Sequence, residues 1–297
     1  MGTTMSRARD LAGIEDESRA GLPLAMGIMN ITPDSFSDGG ALCDPAAIRS
    51  QVRTFQKHRV DILDIGGEST RPGARRITED LELRRIIPVL VDIACESDHP
   101  TISVDTMRAG VADVALTHGA TIINDVSGGG ADATMLSTVR GSGAYYVIGH
   151  WPRYIPPGMR QPDGAGQDSG ATNVAVELRR LVDRAVDAGI DPARIFADPG
   201  IGFDKNAETN WAIVSNLGML RKIADVPLVL GVSRKRFLGR TSSAAEPRDR
   251  DFATSALHGW IASSGAVAVV RAHNVQALQQ ALDVGRQLKT YASWGRR

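Results

Sequence analysis

Cysteine is scarce: Cys43 and Cys95 are the two in 297 residues, too few for a disulfide framework and without the spacing of a zinc site. Both read as inert thiols of a reducing cytoplasm. Net charge is absent too, since 34 basic residues balance 34 acidic ones. No overall field exists to hold nucleic acid or an anionic membrane, so any anion must be bound locally. Apolar runs stay well below the roughly 18 residues of a membrane span. Residues 1–21, MGTTMSRARDLAGIEDESRAG, lack the apolar stretch of a secretion signal and read as a flexible extension before one folded unit over 22–297. The GxGxxG fingerprint that follows the first strand of a dinucleotide-binding sheet is also missing.

What the chain does have is repetition of a simple unit. Eight apolar runs of strand length are each followed by a segment of helical periodicity. The runs are 24–31, 60–67, 101–106, 120–126, 144–150, 194–200, 226–232 and 266–272. The helical segments are 45–58, 78–95, 107–118, 131–141, 172–189, 206–224, 251–264 and 274–291. Val, Ile and Leu run nearly without interruption in the strands, as in a parallel sheet covered on both faces. Eight such units over about 270 residues predict a single (β/α)8 TIM barrel with parallel strands, in the α/β class.

A barrel carries its chemistry at the C-terminal ends of its strands. Those ends read Asn30; Asp64 with GGESTRPG; Asp105; Asn124 and Asp125; His150; Asp198; Ser233, Arg234 and Lys235; and Arg271, His273 and Asn274. For any one Asp, Ser or Asn, helix capping explains the position as well as function does. Capping does not explain an Arg, a Lys and a His in the same places. His150 has no partner at metal-ligand spacing and reads as a strand-end residue, and Trp151 and Trp260 read as packing.

Read in order, GIMNITPDSFSDGG, DIGGESTRPG, SVDT, INDVSGG, DPGIGF, SRKRFLG and RAHN resemble the segments of the dihydropteroate synthase family over about residues 23–290. The resemblance implies a transferase of folate biosynthesis. It would condense 6-hydroxymethyl-7,8-dihydropterin diphosphate with p-aminobenzoate and release diphosphate with Mg2+, as a homodimer. It assigns pterin binding to Asp105, Asn124, Asp198 and Lys235, and an aminobenzoate slot that also admits sulfa-type analogues to Thr70, Pro72, Phe203, Ser233 and Lys235. Diphosphate falls to Arg71, Arg271 and His273, and the metal to Asn30. Lys235, Asp198, Arg271 and His273 are the catalytic set, and Asp34, Ser35, Phe36 and Asp38 belong to a closing lid.

Four features depart from that pattern. Gly149 stands where a methionine usually packs against the pterin, so Gly149→Met is expected to tighten binding. Asn274 replaces an Asp beside the diphosphate site. Asp204 places an acid near the aminobenzoate carboxylate. The Pro/Gly-rich segment 152–171 is long enough to roof the pocket. Two readings stay open: a working synthase, and a divergent paralogue that keeps the scaffold and the aminobenzoate slot with little or no synthase activity.

Overall fold

In the computed structural model, residues 23–32, 45–70, 74–96, 99–152, 170–239 and 246–292 are described. Eight parallel strands close into a barrel in strict sequence order. They are β1 (Leu24–Asn30), β2 (Ile62–Gly66), β3 (Thr101–Asp105), β4 (Ile122–Asp125), β5 (Tyr145–Gly149), β6 (Ile195–Asp198), β7 (Leu228–Leu230) and β8 (Val267–Ala272). The expected (β/α)8 architecture is borne out.

The helices around it are α1 (Pro45–Lys57), α2 (Glu79–Ala94), α3 (Ala109–Thr117), α4 (Met135–Ser142), α5 (Ala171–Asp187), α6 (Ala207–Ser215), α7 (Leu217–Ala224), α8 (Asp251–Ser264) and α9 (Val275–Ala292). The segment 206–224, expected as one helix, is α6 and α7 joined at Asn216. Asn216 leaves helical dihedrals at φ −122° and returns its side-chain amide to the Ala212 carbonyl at 2.8 Å. Asn206 starts α6 by accepting the Thr209 N–H at 2.7 Å, and Thr78 caps α2 in the same way.

Alternation along the strands sorts the interior into two parts. Ile102, Val104, Tyr146, Ile148 and Ala197 belong to the large cluster under the helices. Met26, Ile62, Ile122, Tyr145, Val147, Phe196, Val229 and Val269 form a second cluster, which fills the barrel. That parity positions the site. Two residues beyond these lumen positions come Asp64, Asn124, Gly149, Asp198 and Arg271, so they form the uppermost layer of the barrel.

None of the described helices is long and apolar enough to cross a membrane. Trp260, expected in packing, is instead 45% exposed on α8, the helix that also carries Phe252, 91% exposed. Val284, Leu288 and Tyr291 are exposed on neighbouring α9.

Candidate active site

Asp64 is fully buried at the centre of the upper layer and collects three donors: Ser103 Oγ at 2.6 Å, Asn124 Nδ2 at 3.0 Å and Arg271 Nε at 2.6 Å. Arg271 also gives an N–H to Asp105 Oδ2 at 2.7 Å. One guanidinium therefore bridges β2, β3 and β8, and the pair of carboxylates outweighs the opposing effect of burial to keep it charged. Burial pushes Asp105 up to about 7, with Arg271 opposing the shift and Asp64 adding to it. Asp105 does not cap α3, since Ala109 N–H is taken by Asp132 at 2.8 Å.

Asp198 ends β6 opposite Gly149, and its carboxylate accepts the Gly200 N–H at 2.7 Å. Burial raises its pKa against the pull of Lys235, Arg271 and Lys205. Lys235 donates to the Ile201 carbonyl and sits 4.5 Å from the centre of the Phe203 ring. Burial lowers it to about 8, partly offset by Asp198. Thus buried Asp64 and Asn124 and half-buried Asp105, Asp198, Lys235 and Arg271 form one constellation of acceptors and cations at the mouth. From the sequence Asp64 reads only as a strand-end acid, and the three donors it gathers are what make it part of the site.

The neighbouring residues are firmly held. Ser233 Oγ and His273 Nδ1 are 3.0 Å apart, and the His273 N–H reaches Ser233 Oγ at 3.2 Å. Glu68 accepts from Ile77 N at 2.8 Å, Arg76 at 3.0 Å and Arg108 at 2.9 Å, and Arg108 also pairs with buried Glu82. This network anchors the chain next to half-buried Thr70. Asn30 and Asp105 flank Gly66, where an added Cβ would lie 3.6 Å from both Asn30 Oδ1 and Asp105 Cβ. Asp34, Ser35, Phe36, Asp38, Arg71 and Pro72, the extension 1–21 and most of the loop 152–171 lie outside the described residues.

Two expectations drawn from departures are corrected by the geometry. At Gly149 there is no vacant floor, because a Cβ would lie 2.5 Å from the Val126 carbonyl oxygen and 2.6 Å from its carbon. The place of a larger side chain is filled by the turn after β4. Asn274 is not turned to an anion site: it caps α9 through Ala277 N at 3.1 Å and donates to Asp251 Oδ2 at 3.2 Å. Asp251 is at the same time held by the Arg234 fork at 2.7 and 2.9 Å.

Asp204 accepts the Trp151 indole N–H at 2.6 Å, and the Trp151 and Phe203 rings are 5.1 Å apart. Trp151 is thus a cross-loop contact as well as packing. His150 gives Nε2 to Glu177 at 2.5 Å, and burial lowers its pKa to about 4, so the ring is neutral and Nε2 carries the proton. Sequence reasoning missed Lys205, which donates to the carbonyls of His150 at 3.0 Å, Gly200 at 3.0 Å and Phe203 at 3.1 Å.

A parallel barrel whose upper layer pairs buried carboxylates and an amide with Arg and Lys is built to hold a donor-rich heterocycle beside an anion. The family model for pterin binding enzymes matches residues 26–273. The dihydropteroate synthase of Mycobacterium leprae is 40% identical over 264 residues, covering 87% of this chain and 91% of that one. A mitochondrial bifunctional folate synthesis protein of Arabidopsis thaliana is 40% identical over 263 residues, 84% of this chain and 47% of its own length. Among solved structures, the Xanthomonas albilineans dihydropteroate synthase with 4-aminobenzoic acid superposes with a TM-score of 0.80 at 34% identity, over 94% of this chain and 97% of that one. The chain belongs to the pterin-binding enzymes and, within them, to the dihydropteroate synthase family.

Proposed function

We propose that the protein condenses 6-hydroxymethyl-7,8-dihydropterin diphosphate with p-aminobenzoate to form 7,8-dihydropteroate and diphosphate. The observation that carries this reading is the polar upper layer, in which Asp64 orders Asn124 and Arg271 while Asp105, Asp198 and Lys235 face the same space. Asp105, Asn124 and Asp198 accept from and donate to the amino-pyrimidinone edge of the pterin. Lys235 lies along the pterin and toward the aminobenzoate slot of Thr70, Phe203 and Ser233. The C–O bond to diphosphate breaks, the acceptor nitrogen forms the new C–N bond, and that nitrogen loses a proton. No protein nucleophile is required, so the residues act by positioning and by balancing charge.

Arg271 serves as the cationic back wall, its Nε and one terminal nitrogen already committed to Asp64 and Asp105. His273, ordered by Ser233, is the partner for diphosphate on the β8 side. The donors present fit Mg2+ as an ion borne by the substrate. Asn30 offers an amide oxygen, and no cluster of three His, Cys, Asp or Glu among the described residues forms a cage. When bound, the ion supplies neutralisation of the leaving diphosphate. A homodimer is supported by the exposed apolar side chains of Phe252, Trp260, Val284, Leu288 and Tyr291 on the two adjacent helices α8 and α9.

Turnover tests the reading: diphosphate release that depends on both substrates and Mg2+ and is lost in Lys235→Ala is the expected result. The second reading, a divergent paralogue that keeps the scaffold and the aminobenzoate slot with little or no synthase activity, is favoured by the acid at Asp204 beside Phe203. Calorimetry with the pterin diphosphate decides between them: the absence of both heat and turnover would sink the synthase reading, whereas normal turnover that is lost in Lys235→Ala would sink the paralogue.

A further inference from the structure

We propose that Lys205 is a positioning residue for pterin recognition: its ammonium ties the end of β5 to the loop after β6 and so fixes the carboxylate of Asp198 at the mouth. The inference rests on the pterin reading above. An ammonium has three hydrogens, and here they meet the carbonyls of His150, Gly200 and Phe203 at 3.0, 3.0 and 3.1 Å. One of these acceptors lies on the far side of the seam between strands and two lie within the loop, so the lysine joins two segments that have no covalent link nearby.

The loop is shaped for this. Gly200 and Gly202 take left-handed conformations at φ +65° and +80°, and a Cβ on Gly200 would lie 2.9 Å from the His150 carbonyl carbon. The backbone of the β6 loop therefore packs directly on the β5 end, and the carbonyls of 200, 201 and 203 all receive lysine ammoniums, from Lys205 and Lys235. The same loop gives the Gly200 N–H to Asp198 at 2.7 Å. A shift of Gly200 would remove that bond and turn the carboxylate away. The far anchor is rigid as well, since His150 is buried and held by Glu177 of α5 at 2.5 Å.

Lys205 also acts through charge. The groups facing it are Asp198 from β6, Lys235 from the β7 loop, Asp204 beside it, Glu177 from α5 and His150 from β5. Burial lowers Lys205 to about 7, with Asp198 opposing the shift. In return Lys205 is among the cations that hold the raised pKa of Asp198 down. A residue that only glued the fold together would leave the ionisation of Asp198 untouched.

The test is calorimetric titration of the full-length protein with 6-hydroxymethylpterin from about pH 5 to about pH 8, for the wild type, Lys205→Met and Lys205→Arg. Lys205→Met is expected to weaken binding about tenfold or more, as preorganisation is lost. The acid limb of its affinity should move to higher pH because Asp198 loses a cation, and Lys205→Arg should bring that limb back. Wild-type affinity and an unmoved limb in Lys205→Met would overturn the proposal. If Lys205→Met does not fold, Lys205→Gln takes its place. Hydrogen exchange supplies a readout independent of pterin: amides of 199–203 should exchange faster in Lys205→Gln while those of β2 do not. Equal exchange in that loop would overturn the positioning role. No pterin binding by the wild type would instead refute the function proposed above, with loop exchange then deciding the role of Lys205.

Discussion

Gly149→Met distinguishes a missing floor from a filled one. If the glycine had left a void, a buried methionine would add about 1.5–3 kcal/mol of apolar contact, roughly 10- to 150-fold in pterin affinity. The structure leads to the opposite result. The first side-chain carbon would already lie 2.5 Å from the carbonyl oxygen of Val126, far inside van der Waals contact. The turn that carries Val126 cannot easily give way. Asp125 accepts from Ser127 N at 2.8 Å, Ser127 Oγ at 2.6 Å, Gly129 N at 2.7 Å and Tyr146 Oη at 2.7 Å, while Asn124 O accepts from Thr106 N at 3.1 Å. Overpacking of this kind costs about 1–3 kcal/mol. For a chain of this size that corresponds to a fall in melting temperature of roughly 2–12 °C. Pushing the turn also displaces Asn124 from its 3.0 Å bond to Asp64, so pterin affinity should fall. Thermal unfolding and pterin calorimetry on Gly149→Ala and Gly149→Met measure both effects. A Gly149→Met protein with wild-type melting and tighter pterin binding would refute the reasoning.

Asn274→Asp keeps an acceptable cap for α9 but replaces a 3.2 Å hydrogen bond to Asp251 by like charges, for a loss of about 1 kcal/mol. Chemical denaturation should register that loss, with affinity for the pterin diphosphate unchanged; a gain in affinity would restore the idea that position 274 faces the anion. Binding of the pterin diphosphate should also be bell-shaped in pH. Asp105, near 7, and Asp198, raised by burial, must both be deprotonated to accept from the pterin, and Lys235, near 8, must be protonated where it lies along the pterin, so affinity rises through about 7 and falls above about 8. Calorimetry across that range checks it, and a flat profile would mean that none of these groups titrates in the binding step.

The barrel was legible because its signal is local and repeated. Each strand is an apolar run and each helix a periodic one, and the one helix of the described residues that divides, 206–224, breaks at a single Asn whose side chain turns back on the helix. The polar ends were legible for the same reason. What those residues bond to was not, because the partners are remote: Arg271 lies 207 positions from Asp64 and 166 from Asp105. Lys205 was hidden in another way. A lysine after a loop aromatic reads as surface, and only the packed seam shows that its acceptors are backbone carbonyls, one of them 55 positions away.

Departures from a family pattern are the hardest to read from sequence, because a substitution looks like a loss only if the backbone around it is held constant. At position 149 the backbone of the Val126 turn occupies the space of a side chain, so glycine is what that turn requires. At 274 the amide answers Asp251, whose carboxylate is already claimed by Arg234 in a left-handed backbone at φ +60°. A second acid there would strain a pair that holds the approach to Lys235. Asp204 differs in kind, since its carboxylate accepts the indole N–H of Trp151, whose ring lies 5.1 Å from that of Phe203. Of the three, Asp204 alone bonds to an aromatic packed on Phe203, so its effect belongs to the acceptor slot proposed above and not to the layer under the pterin.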